Sequence, residues 1–269
     1  MIELLQFPFM QRAFIAGVLL AALLAYLGVL VVIRKMAFFS EGVAHASLAG
    51  IAAGVLFNIN PIATALVTSV VFAVVMFVVE KRTQLSSDTV IGLLFTSGMA
   101  LGILLMSLKR GYQPELMSFL FGNILSIHRT DMFLIVPLTV AIGIFLAVNR
   151  RRFTLMAMDR EMAHLAGLNP DVFQLTLYVI LAVSVVLAIK ILGVILVSAL
   201  LIVPVSISKM ISSSYKQLVI VSMILSELIV VTGLVLSSAF NLPTGATIVL
   251  TGTAVFLLVV LIKGFRVNG

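Results

Sequence analysis

Apolar runs long enough to cross a bilayer recur nine times in this chain, near 12–33, 38–57, 61–79, 89–108, 132–149, 171–189, 191–211, 218–238 and 245–263. A hydrocarbon core of about 30 Å is spanned by about 20 apolar residues of helix. Inside it each backbone N–H and C=O must find a partner within the protein, so continuous apolar runs become helices. Only 10% of the 269 residues are charged and 62% are hydrophobic. Soluble domains carry about 25% charged residues, so this composition cannot build a water-facing surface. The expectation is an all-α integral membrane protein, a multi-pass bundle of about 8–9 transmembrane helices, forming a single transmembrane domain over 1–269.

The breaks between runs are polar or turn-like: Asn58-Ile59-Asn60-Pro61, the stretch 80–88, the stretch 212–217, and Asn241-Leu242-Pro243. Residues 109–131 are mixed, with Pro114, Gly122, Asn123 and Arg129 interrupting an apolar core. They suit a short, broken or re-entrant helix, or an additional span. The net charge of +7 comes from small clusters between runs, Arg34-Lys35, Lys81-Arg82, Lys109-Arg110 and Arg150-Arg151-Arg152. Such clusters mark cytoplasmic flanks of membrane helices. They do not gather into a phosphate-tracking groove, so nucleic acid is not an expected partner. With Arg34-Lys35, Lys81-Arg82, Arg150 to Arg152, Lys209, Lys216, Lys263 and Arg266 inside, nine runs place the N-terminus outside and the C-terminus inside. Lys109-Arg110 then falls on the outer side, against the trend. The N-terminus does not read as a removable signal peptide. Without cysteine, disulfides, thiolate metal sites and cysteine nucleophiles are excluded.

The longest polar segment runs from Arg150 to Pro170. Asp159 can cap a short helix, Gly167 can end it, and Pro170 can begin the next span. By pattern alone this is either an amphipathic connector or a docking element for a cytoplasmic partner.

Ionisable residues inside a span are costly and usually functional. Glu41 and His45 stand four apart within Ser40-Glu41-Gly42-Val43-Ala44-His45-Ala46-Ser47-Leu48-Ala49-Gly50, so a helix places them on one face. A carboxylate and an imidazole suit zinc, manganese or ferrous iron. Alternatively the two side chains hydrogen-bond neighbouring helices. The spacing is not His-Glu-x-x-His, so no zinc hydrolase follows. Two ligands are too few to hold a metal permanently and suit one in transit; two copies meeting at this helix would supply four. Gly50-x-x-x-Gly54 and Gly98-x-x-x-Gly102 permit close helix approach, and the former alternatively leaves room for a pathway. Glu227 lies within the run 218–238 without an evident partner and reads as a packing or hydrogen-bonding residue. Lys190 reads as the start of a span, and Asp88 as an N-cap. His128 and His164 fall at helix ends or loops. Ser206-x-x-Lys209 lacks the companion motifs of a serine hydrolase. No Gly-x-x-x-x-Gly-Lys-Ser/Thr occurs in the chain, so it does not hydrolyse nucleotide through a P-loop.

The run from Phe38 to Gly50 resembles the signature of the permease subunits of bacterial zinc/manganese/iron ABC importers. So do Asp88-Thr89-Val90-Ile91-Gly92, Leu120-Phe121-Gly122-Asn123-Ile124-Leu125, and the run from Leu192 to Pro204. The likeness extends over about 5–263. It implies a type II importer permease fold, similar to the vitamin B12 permease, in a bacterial or archaeal cell membrane. It further implies a homodimer with two copies of a cytoplasmic ATPase that binds the ATP, fed by an extracytoplasmic metal-binding protein. No cofactor would be bound permanently, and the divalent metal would be cargo. The family's acidic-and-His pair falls on Glu41 and His45, with Glu41 where members often have Asp. Its coupling helix falls at about 157–168, on Asp159, Glu161, Ala163 and Gly167. Related permeases for a metal chelate, a siderophore or cobalamin are the nearest alternative, followed by a secondary transporter.

Overall fold

A computed structural model describes residues 8–83, 85–108, 129–158, 160–240 and 242–267. The described residues form α1 (Pro8–Ile33), α2 (Phe39–Leu56), α3 (Pro61–Thr83), α4 (Ser87–Ser107) and α5 (Arg129–Val148), then α6 (Arg150–Met158) and α7 (Arg160–Leu165). After these come α8 (Pro170–Leu192), α9 (Val194–Ile211), α10 (Tyr215–Phe240) and α11 (Thr244–Val267). Among them, 8 helices are long and apolar enough to cross a membrane, and α5 adds a shorter apolar stretch over Ile135–Val148. The all-helical, many-pass expectation therefore holds. Asp159, His128 and most of the mixed stretch 109–131 lie outside the described residues.

The helix ends follow from local chemistry. The Asn169 side chain accepts from the N–H groups of Asp171 and Val172 at 3.1 and 3.4 Å, and Pro170 opens α8. There the missing N–H of proline costs nothing. Asp88 is not the cap of α4. Ser86 is, its hydroxyl accepting from Thr89 N–H at 3.3 Å; Asp88 lies inside the first turn, where its charge meets the positive helix end. Between α8 and α9 the chain breaks at Gly193 alone, with φ 79°, a conformation open to glycine and costly for other residues. Lys190 consequently sits in the last turn of α8 rather than beginning a span.

α1 is the hub, packing against α10, α9, α5 and α8. On one side α2 is held between α3 and α4; on the other, α11 covers α9 and α10. Several basic clusters gather at one end of the bundle. Lys81 of α3 pairs with Asp171 of α8, and Phe153 of α6 packs edge-on against Phe173 of α8 with ring centroids 5.4 Å apart. The polar stretch 150–158 is itself a helix. Its buried Phe153 and Met156 stand three apart and face the bundle.

Candidate functional site

α2 owes its position to small residues. A Cβ on Gly50 would lie 2.1 Å from Thr68 Oγ1 and 2.8 Å from the Thr64 carbonyl oxygen of α3. From the other side, a Cβ on Gly98 of α4 would lie 3.0 Å from the Ala46 Cα. Gly50 thus serves close approach to α3 rather than an open pathway, and Gly98 acts as the packing residue its spacing predicts. Phe39, the first residue of α2, packs against Phe72 and Tyr178 with centroids 6.0 and 5.5 Å apart. Phe72 stands eleven residues before the end of α3, about 16 Å at 1.5 Å per residue. A Cβ on Gly42 would meet the Phe72 ring of α3 and Ile91 of α4, so the first turns of α2 are wedged between those two helices.

That placement carries Glu41 and His45 inward. Both are half-buried, and Glu41 lies within electrostatic reach of the imidazole. The His45 ring meets Phe95, near the middle of α4, edge to face at 4.4 Å. His45 Nδ1 is buried and has no hydrogen-bond partner among the described residues. A buried ring nitrogen without a partner is uncommon and is the kind of atom a metal ion would engage. Ser40 on the next face of α2 donates to Ser198 Oγ of α9 at 3.1 Å. The described residues contain no group of three or more His, Asp, Glu or Cys able to hold a metal. Among the described residues, then, one chain brings together at most the pair Glu41 and His45 here, not a closed cage.

A polar cluster escaped the pattern reading. Glu80 accepts from Tyr178 Oη at 2.6 Å and Gln174 Nε2 at 3.1 Å, and from Ser87 Oγ at 3.0 Å. It ties α3, α4 and α8 together. The available signal was Gln174 and Tyr178, polar-bearing and four apart in an otherwise apolar run. Glu227 of α10 is half-buried, and its Oε1 has no hydrogen-bond partner among the described residues. The Ser206 hydroxyl donates to the Ile202 carbonyl at 2.8 Å while Lys209 is exposed, so the two form no catalytic pair.

At the basic end, α7 stops as expected at Gly167. Gly167 N–H reaches the His164 carbonyl at 3.0 Å, Leu168 N–H reaches the Ala163 carbonyl at 3.1 Å, and Gly167 has φ 77°, which is a Schellman ending. The helix is shorter than the 157–168 expected. Ala163 is fully buried, whereas Glu161 and His164 are exposed. Leu165 is 81% exposed and Met162 56%, an apolar pair turned away from the bundle that sequence reading did not single out.

The sequence profile of the family described as ABC 3 transport family matches residues 6–263. The chain is 30% identical to the high-affinity zinc uptake system membrane protein ZnuB of Haemophilus influenzae, over 94% of this chain and 97% of that one. It is 28% identical to the manganese transport system membrane protein MntC of Listeria monocytogenes, over 95% and 91% of the two chains. Among solved structures, it resembles PsaBC from Streptococcus pneumoniae in complex with Fab, with a TM-score of 0.83 and 28% identity, covering 96% of this chain and 94% of that one.

Proposed function

Because this chain belongs to the ABC 3 transport family, we propose that it is the membrane-spanning permease subunit of an ATP-driven importer that passes a divalent transition metal, zinc or manganese, into the cell. The observation that carries the reading is the pair Glu41 and His45 on one face of α2, with His45 Nδ1 buried beside Phe95 and without a hydrogen-bond partner among the described residues. An anionic oxygen and a neutral imidazole nitrogen match both metals in hardness. Two ligands leave the coordination shell open, which suits a cargo that must be released. A second copy of the chain, with α2 near the two-fold axis, would bring the total to four.

Energy would come from a separate ATPase chain, since no P-loop is present here. Its seat would be α7 with its flanks, from Asp159 to Gly167. Glu161, Met162 and Leu165 supply the exposed surface, Ala163 anchors the helix to the bundle, and Gly167 ends it. An extracytoplasmic binding protein would deliver the metal to the opposite face. Alternating access would then move the metal past Glu41 and His45 as the two permease copies rearrange.

The test is uptake of radioactive zinc or manganese into proteoliposomes holding the permease and its ATPase. Glu41→Ala and His45→Ala are each expected to cut ATP-dependent uptake by at least about tenfold. Unchanged uptake in either variant would sink the reading, as would transport of a metal chelate in preference to the free ion.

A further inference from the structure

A second site lies at the basic end, away from α2. α6 and α10 each pack against α1, and between them, with Tyr26 of α1 at its floor, is a cleft of about 800 Å³. That is within the roughly 300–1,000 Å³ of pockets that hold ligands of drug size. Arg150, Arg151 and Arg152 enter it from α6 and Lys216 from the start of α10. Among the described residues none of these four cations pairs with a carboxylate. Tyr26 of α1 and Tyr215 of α10 line the same space; among the described residues the buried hydroxyl oxygen of Tyr26 has no hydrogen-bond partner, and that of Tyr215 has only the Thr154 hydroxyl within reach. Thr154 beside Tyr215 already donates its hydroxyl to the Arg150 carbonyl at 2.7 Å. The remaining wall is apolar, including Leu155, Val219 and Ile220.

Cations and phenol donors at one end, with apolar walls on membrane-spanning helices at the other, match an amphiphile with an anionic head. We infer that this cleft binds one anionic phospholipid of the cytoplasmic leaflet, its phosphodiester on the arginine cluster and Lys216, its upper acyl chain against Val219 and Ile220. Basic pockets between transmembrane helices on the cytoplasmic side recognise lipid headgroups by this combination. A soluble acidic partner would satisfy the cations but has no use for the apolar wall that Val219 and Ile220 make on α10. Free phosphate would likewise leave the apolar half empty. The inference rests on the membrane reading of the chain and is independent of the metal and of Glu41 and His45. Leu168 also lines the cleft, so an occupant touches the turn that closes α7.

The full-length chain in detergent, titrated with phosphatidylglycerol or phosphatidylcholine and read by native mass spectrometry, tests it. Phosphatidylglycerol is expected to be retained at about tenfold lower concentration than phosphatidylcholine. Arg150→Gln with Arg152→Gln should weaken retention at least about fivefold. Tyr26→Phe with Tyr215→Phe, which keeps the packing and deletes both donors, should weaken it measurably and decides the matter if the arginine variant fails to fold. Equal retention of the two lipids, or retention that neither double variant changes, overturns the proposal. So does displacement of the lipid by millimolar inorganic phosphate, which marks a small-anion site. Variants that bind lipid normally but lose a co-purifying ATPase overturn it in favour of a protein contact.

Discussion

His45 concentrates the chemistry of the chain into one ring. Phe95 holds its orientation, and its Nδ1 has no other partner among the described residues. Only the neutral imidazole has a lone pair for a metal, so protonation competes directly with cargo. Uptake is expected to fall as pH drops from about 7.5 to about 5.5, across the range where imidazoles titrate. Initial rates in proteoliposomes with the external and internal pH clamped would show this, and a rate that rises toward acid pH would contradict it. Phe95→Ala leaves both proposed ligands in place but frees the ring. It should raise the metal concentration needed for half-maximal uptake by about tenfold, the usual effect of losing a group that orients a ligand. The pair itself was legible in the sequence, because four-residue spacing on a helix is geometry that needs no tertiary knowledge. Phe95 was not, because it comes from another helix, fifty residues away in the chain.

Helices in a bilayer associate through close packing and interhelical hydrogen bonds, because lipid tails compete with any apolar contact. Gly50 on α2 and the Glu80 cluster between α3, α4 and α8 are two of the devices seen here. Gly50→Ala would force α2 and α3 apart, since its Cβ meets a backbone oxygen as well as a side chain. The cost should be about 1–3 kcal/mol, seen as a lowered thermal unfolding midpoint in detergent. Tyr178→Phe removes one of three hydrogen bonds to Glu80 and should cost about 1.5–3 kcal/mol, the range for a bond to a charged group. An unfolding midpoint equal to wild type would mean that Gln174 and Ser87 suffice. Element boundaries were read well where a single residue type dictates them, as at Pro170 and Gly167. They were misread where two residues compete: Ser86 and Asp88 are both good caps, and only the path of the chain decides between them.

In the bundle as a whole the Glu41 and His45 pair lies near the middle of α4, while α7, with Met162 and Leu165 exposed, sits at the basic end beside the arginine-lined cleft. Leu165→Asp should leave the fold intact, because the side chain is 81% exposed. Co-purification of the ATPase should nevertheless fall by about tenfold or more, as when an interface anchor is lost, and ATP-driven uptake should vanish with it; normal ATPase capture would exclude α7 as the seat. The sequence by itself determined that this chain is a many-pass helical membrane protein, and it singled out Glu41 and His45. Apolar run length and helical spacing are local properties that the bilayer and the backbone enforce without reference to the rest of the fold. Tertiary structure alone decided that Phe39 meets Phe72 and Tyr178, that His45 meets Phe95, that Glu80 joins three helices, and that four cations and two phenols surround one cleft. Those are meetings between residues far apart in the chain, set by how small residues let helices cross, and no local pattern encodes them.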